Sequence, residues 1–273
     1  ADRRAGGAEQ QGVQEGELLG LVRFLDSRPR QLFQLAGEGH EEQGGEDVEH
    51  RVAEGDAHGT HGQVHKGVME QQVAAEEEEQ AHTLNLSLQQ LWEYSEAREA
   101  EIIANEDKLD LYEDHLGSYL VQISQHGVSM DDIRTVSRLL HAIGDFERIG
   151  DHALNLQDSA RELHERGLTF SGPAAAELQV LISALEDILE AALDCFTAAD
   201  AAAAQSIEPL EETIDRLVEE IRSRHIARLQ TGACTIQLGF ILNDLLGNCE
   251  RVSDHCSNIA VCVIEEKSGD VSR

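Results

Sequence analysis

Hydrophobic and polar residues change their pattern near residue 84. From there to about residue 267, apolar residues recur three and four positions apart, with few breakers, as in amphipathic α-helices. We therefore expect an all-α fold of six helices, each long enough to bury one face. Their predicted spans are 87–105, 106–126, 129–166, 173–200, 206–229 and the stretch between Gly232 and residue 266.

The six predicted helices fall into two matching sets of three. Gly167 ends the third helix, and a linker with Pro173 suits the first turn of the fourth. The sequence thus predicts two tandem three-helix bundles, which span residues 84–168 and 173–267.

Residues 1–83 differ in kind from this helical region. They hold more than half of the 23 glycines, repeated Gln, Glu and His, and only short apolar clusters. Such a segment buries too little apolar surface to offset the entropy cost of ordering it. We expect this acidic, glycine-rich segment to be disordered or only locally ordered.

The net charge of the chain limits the classes of binding partner that we expect. A formal net charge of −32 over 273 residues opposes binding to nucleic-acid phosphates and anionic lipid, and favours metal cations or basic partners. No stretch approaches the roughly 20 apolar residues that a membrane helix needs. We expect a cytoplasmic protein without direct membrane insertion, located in the cytoplasm or at the inner face of the cell membrane.

Two segments of the chain are near copies of each other. Leu140–Asn155 and Asn243–Asn258 lie 103 residues apart, and each contains Glu-Arg-x-x-Asp-His. On a helix this spacing places both carboxylates on one face, in or beside the apolar stripe. Partly buried carboxylates must be paired or bind a cation, because leaving them unpaired costs several kcal/mol.

A second acidic pair precedes each copy, by 41 residues in the first half and by 39 in the second. If neighbouring helices are antiparallel, the pairs of each half converge. Oxygen ligands in such clusters suit magnesium, manganese, calcium or iron rather than structural zinc. The four candidate pairs are Glu106 and Asp110, Glu147 and Asp151, Glu211 and Asp215, and Glu250 and Asp254.

The residues alone leave alternatives open. Chance gives about ten acidic pairs at this spacing in so acidic a chain, so only the repetition in register favours metal. A solvated acidic face or an internal salt-bridge layer is the alternative. His152 and His255 follow the aspartates, and three roles are open for them. Each is a metal ligand, a hydrogen-bond donor that orients a carboxylate, or a polar core residue whose hydrogen bonds are satisfied.

These motifs resemble a known family. Asp145–His152 and Glu250–His255 resemble the repeated signature of the PhoU family, over about residues 84–267. Within it, Arg224–Leu246 and Asn105–Asp114 are closest to the PhoU-like C-terminal cytoplasmic domain of bacterial sodium/phosphate cotransporters. The resemblance implies that the eight acids bind a multinuclear metal cluster. Iron is the first expectation, with zinc, manganese or magnesium as alternatives.

The resemblance also implies a non-enzymatic regulator of phosphate uptake, either free-standing or the cytoplasmic domain of a sodium-dependent phosphate cotransporter. Its expected partners are the membrane domain of a phosphate transporter or a phosphate-sensing histidine kinase, and a homodimer is compatible with its helical faces. The alternative is a metal-free helical module for docking or dimerisation. A di-metal oxidase would need Glu-x-x-His on two bundle helices, and only Glu79 and His82 have that spacing.

Overall fold

The computed structural model describes residues 78–124 and 130–270, and it confirms the all-α prediction because these residues contain no β-strand. None of the helices in this part of the chain is long and apolar enough to span a membrane. The helices are α1 (78–90, as far as it is described), α2 (Glu96–Ser124), α3 (Met130–Glu165), α4 (Gly172–Thr197), α5 (Ala201–Ala204), α6 (Glu208–Gln230) and α7 (Ile236–Asp270).

The predicted boundary between the first two helices was wrong. α2 continues through residues 105 and 106, and the break lies instead at residues 91–95. Gln90 closes this turn, since its side-chain nitrogen donates to the Ser95 carbonyl at 2.9 Å and its oxygen accepts from the Ser95 N–H at 2.7 Å.

The predicted start of the helical region was also too late. Residues 78–83, assigned from the sequence to the N-terminal segment, are part of α1. The remainder of that segment, and hence the prediction that it is disordered, lies outside the described residues.

The later helix ends follow local signals. Gly167 and Gly232 adopt φ of 60° and 71° just after α3 and α6, a left-handed conformation that glycine takes without steric cost. The short helix α5 was not predicted. It forms because the Asp200 side chain accepts hydrogen bonds from the N–H groups of Ala202 and Ala203.

Helices α3 and α7, which carry the two repeated segments, make the most extensive packing contact in the described part of the chain. α2 packs on α3. The helices α4, α6 and α7 form a second group, in which each helix packs on both of the others. Fully buried aliphatic residues fill both regions, and each contributes about 1.5–3 kcal/mol through burial. Examples are Ile102, Ile149, Leu156, Leu185, Ile214 and Val252. The division into domains 84–168 and 173–267 stays a prediction.

Candidate metal centres

The first acidic cluster lies between α2 and α3. Glu106 lies ten residues inside α2 rather than at a helix start, and it is only 6% exposed. Its carboxylate lies against the backbone of Gly150 on α3, where a Cβ atom would be 2.7 Å from Oε2. A side chain at position 150 would therefore displace the Glu106 carboxylate from this place.

The four predicted acids of the first half are electrostatically coupled. The pKa of Glu106 is raised to about 7, first by burial and then by the carboxylates of Asp110, Asp151 and Glu147, in that order. Within the described part of the chain, Glu106 Oε2 is buried and has no hydrogen-bond partner. Such an atom is costly to bury, and a cation at this position would remove both the cost and the repulsion.

The second acidic cluster lies between α6 and α7. Each of Glu211, Asp215 and Asp254 offers one carboxylate oxygen, and these oxygens lie within 4.8 Å of one another. Among the described residues, this is the one group of acidic, histidine or cysteine side chains gathered so tightly. Three half-buried carboxylates at this separation can share a single cation.

Charge crowding is also present in the second cluster. Burial raises the pKa of Glu211 to about 7, with Asp215 as the next cause. The pKa of Asp215 is also raised, first by burial and then by the charges of Glu250 and Asp254. Glu250 has a neighbouring cation, since its Oε2 is 3.5 Å from Nη2 of Arg222. The structure thus brings all four predicted acids of this half near one another.

The two candidate histidines face the α3–α7 contact. His152 Nδ1 lies 2.9 Å from Asn248 Oδ1, and His255 Nδ1 lies 2.9 Å from Asp145 Oδ1. The two rings stack with centroids 5.7 Å apart. Burial lowers the pKa of His152 below its ordinary value of 6.5, which favours the neutral ring. These contacts fit satisfied core histidines, while roles as ligands or orienting donors stay predictions.

Some residues of this region were missed from the sequence. Asn248 follows Asp145 by the same 103 positions that separate the two histidines, so the two contacts are equivalent across the repeat. Aligning the copies would have revealed this correspondence. Gly150 was also missed, although a glycine next to a candidate ligand in a long helix indicates close backbone approach.

A comparison with known families decides the relationship. The profile of the PhoU domain matches residues 78–160 and 179–263, which together make up more than half of the chain. The chain belongs to the PhoU family. The two matched segments correspond to the two halves that carry the acidic clusters, so PhoU domains hold all eight candidate ligands.

Similar curated proteins carry the same family name. The chain is 22% identical over 190 residues to phosphate-specific transport system accessory protein PhoU homolog 1 of Thermotoga maritima, covering 69% of this chain and 81% of that protein. It is 26% identical over 160 residues to the PhoU homolog of Pseudomonas aeruginosa, covering 58% of this chain and 65% of that one.

Solved PhoU structures share the fold. The crystal structure of PhoU from Pseudomonas aeruginosa matches with a TM-score of 0.70 at 22% identity, covering 74% of this chain and 97% of that chain. The phosphate transport system regulatory protein PhoU from Streptococcus pneumoniae matches with a TM-score of 0.69 at 19% identity, covering 76% and 97%. At these identities, the likeness concerns the fold alone.

Proposed function

We propose that this chain is a metal-binding regulatory module of phosphate uptake. The buried Glu106 carboxylate carries the metal part of the proposal, because its Oε2 has no hydrogen-bond partner among the described residues and lies among three further acids. The names of the relatives, which are accessory proteins of phosphate-specific transport systems, support the link to phosphate.

The residues fit hard or borderline metal ions. Each half offers four carboxylates, and carboxylate oxygens are favoured by iron, manganese and magnesium ions. Bound metal would neutralise the repulsion within each cluster and tie α2 to α3 and α6 to α7. We therefore propose a multinuclear cluster, with iron first and zinc, manganese or magnesium as alternatives. The proposed ligands are Glu106, Asp110, Glu147, Asp151, Glu211, Asp215, Glu250 and Asp254.

The proposed partners follow from the phosphate link. The module would act without catalysis by contacting the membrane domain of a phosphate transporter or a phosphate-sensing histidine kinase at the cytoplasmic face of the membrane. It would do so as a separate regulator, as a homodimer, or as the cytoplasmic domain of a sodium/phosphate cotransporter. The strongly acidic composition favours a basic surface on the partner.

Elemental analysis of protein purified without chelator or affinity-tag metal tests the metal assignment. We expect stoichiometric metal in the wild type. Glu106→Gln/Asp110→Asn should lose the metal of the first cluster, and Glu211→Gln/Asp215→Asn that of the second, because each removes two charges and keeps the side-chain size.

A third acid pair supplies the matched control. Glu190 and Asp194 on α4 have the same spacing. The pKa of Glu190 is raised first by burial and then by the charges of Asp194 and Asp187, which lie on the same helix. Glu190→Gln/Asp194→Asn should keep all bound metal. A folded wild type that contains no metal and takes up none on reconstitution would instead favour the metal-free docking module.

The regulatory part needs a separate measurement. Cells that carry each variant should differ from wild type in the rate of phosphate uptake, and cells with the Glu190→Gln/Asp194→Asn control should not. Uptake that is unchanged in all variants despite loss of metal would separate metal binding from regulation.

A further inference from the structure

The second acidic cluster has an arginine beside it. Arg222 of α6 follows Asp215 by two helical turns, so both residues lie on the same face of that helix. Nη2 of Arg222 is 3.5 Å from Oε2 of Glu250 on α7, and both side chains are 40% exposed. This ion pair therefore joins the same two helices as the second acidic cluster.

The ion pair divides the four acids of this cluster. Glu211, Asp215 and Asp254 each place one carboxylate oxygen within 4.8 Å of the others, and Glu250 is not part of that tight group. Oδ1 of Asp215 is buried and has no hydrogen-bond partner within the described ranges 78–124 and 130–270. Three of the acids thus lie close enough to share a cation, whereas the fourth lies beside a guanidinium group.

The ion pair is weak enough for a metal ion to displace. Its separation of 3.5 Å exceeds the roughly 2.7–2.9 Å of a charge-assisted hydrogen bond, and solvent screens it because both groups are exposed. A divalent metal ion carries more charge than a guanidinium and binds carboxylate oxygens directly. Arg222 and a metal ion would therefore compete for Glu250.

The first acidic cluster has a glycine at the equivalent position. Glu211 follows Glu106 by 105 residues, and the same shift makes Gly117 on α2 the counterpart of Arg222. A Cβ atom at Gly117 would have no atom within 4 Å in the described part of the chain. The two halves of the repeat thus differ by one positive charge at this position.

We propose that Arg222 holds Glu250 away from the metal site and so lowers the metal affinity of the second cluster. This inference rests on the proposed metal-binding function and concerns the second cluster. Glu211, Asp215 and Asp254 bind the ion first, and Glu250 joins them only when it leaves Arg222.

Manganese titration of the metal-free full chain, with free manganese(II) measured by electron paramagnetic resonance, tests this role. The starting protein is Glu106→Gln/Asp110→Asn, in which only the second cluster keeps its acids. Adding Arg222→Gln should tighten manganese binding about fivefold, because the ion pair no longer opposes the metal. Arg222→Lys keeps the charge and should bind manganese like the starting protein.

Arg216→Gln is the matched control on the same helix. Arg216 is exposed, and its side chain donates to the Glu212 carbonyl at 3.1 Å and to the Thr213 hydroxyl at 3.2 Å, both on α6. Loss of this charge should leave the affinity for manganese unchanged.

The converse substitution places an arginine beside the first cluster. In Glu211→Gln/Asp215→Asn, where only the first cluster keeps its acids, Gly117→Arg should weaken manganese binding about fivefold. Ser118→Arg is its control, because this exposed residue lies about 100° further around α2 and adds the same charge. Its affinity for manganese should not change.

The affinities distinguish failure of this inference from failure of the proposed function. A folded Arg222→Gln protein that binds manganese no more tightly than the starting protein would overturn the competition by Arg222. Equal affinity of the Gly117→Arg and Ser118→Arg proteins would contradict it as well. If neither the starting protein nor its Arg222→Gln variant bound manganese, the metal function proposed for the second cluster would itself be overturned.

Discussion

At the scale of single residues, Gly150 lets the Glu106 carboxylate lie buried against the backbone of α3. Its counterpart in the second half is Ser253, whose hydroxyl donates to the Glu250 carbonyl at 2.8 Å. Correspondingly, Glu106 is buried, whereas Glu211 is only half-buried. The two corresponding glutamates therefore differ in burial, although Asp110 and Asp151 of the first cluster are exposed.

Gly150→Ala should remove metal from the first cluster while leaving the protein folded. The new Cβ would be 2.7 Å from Glu106 Oε2 and would displace that carboxylate. The higher helix propensity of alanine, about 1 kcal/mol, offsets part of the steric cost. Elemental analysis together with urea unfolding should show less bound metal and a stability within about 1 kcal/mol of wild type.

Gly144→Ala is the matched control on the same helix. A Cβ there has no atom within 4 Å among the described residues, so this variant should gain about 0.5–1 kcal/mol and keep its metal. A Gly150→Ala protein with full metal content would contradict a metal site that depends on the Glu106 carboxylate lying against residue 150.

The candidate acidic ligands could be identified from the sequence, but the role of Gly150 could not. Glu147, Asp151, Glu250 and Asp254 were identified because a repeated motif distinguishes them from a background rich in carboxylates. The role of Gly150 depends on a residue 44 positions away on another helix. Helix propensity predicts only that a glycine inside a helix lowers stability. The contact that Gly150 permits is tertiary, so local sequence does not reveal it.

At the scale of helices, prediction succeeded where backbone signals mark the ends. Gly167 and Gly232 stop α3 and α6, and the predicted span of α3 is within a residue of the observed one. The α1–α2 break was missed because no glycine or proline marks it. The Gln90 side chain accepts from the Ser95 N–H and donates to the Ser95 carbonyl, which also accepts from the Glu99 N–H. A glutamine in a helical pattern carries no such signal.

The α3–α7 contact yields a stability prediction. Asp145→Ala should cost about 1–3 kcal/mol, because buried His255 loses its partner at 2.9 Å and Asn258 loses its acceptor at 3.2 Å. Asp145→Asn, which copies the Asn248 of the other half, should cost less because the amide oxygen still accepts. Urea unfolding of the metal-free protein measures both.

The control for this contact is Asp158→Ala, which removes an exposed ion pair with Arg161 on the same helix. Such pairs contribute below about 1 kcal/mol. Equal destabilisation by Asp145→Ala and Asp158→Ala would contradict a special role for the histidine contact between the two repeated helices.

At the scale of the whole molecule, the two acidic clusters lie where the fold brings helices together. Glu106 and Glu211 both have a pKa of about 7, raised from the ordinary 4.5 first by burial and then by neighbouring carboxylates. Between pH 4.5 and 7 the folded chain therefore binds more protons at these groups than the unfolded chain. Their protonated forms stabilise the metal-free fold below pH 4.5, and this contribution is lost as pH rises through 7.

Thermal unfolding of metal-free protein between pH 4.5 and 8 measures this loss, with Glu106→Gln/Glu211→Gln as the comparison. The stability of the wild type should fall relative to the variant as pH rises to 7 and then stay level, since a glutamine cannot ionise. Adding manganese or iron(II) should reverse the trend in the wild type, because metal and protons compete for the same oxygens. The metal-induced rise in Tm should thus be largest above pH 7 and small near pH 5. A rise in Tm that is independent of pH, or equal in the variant, would place the bound metal away from these carboxylates.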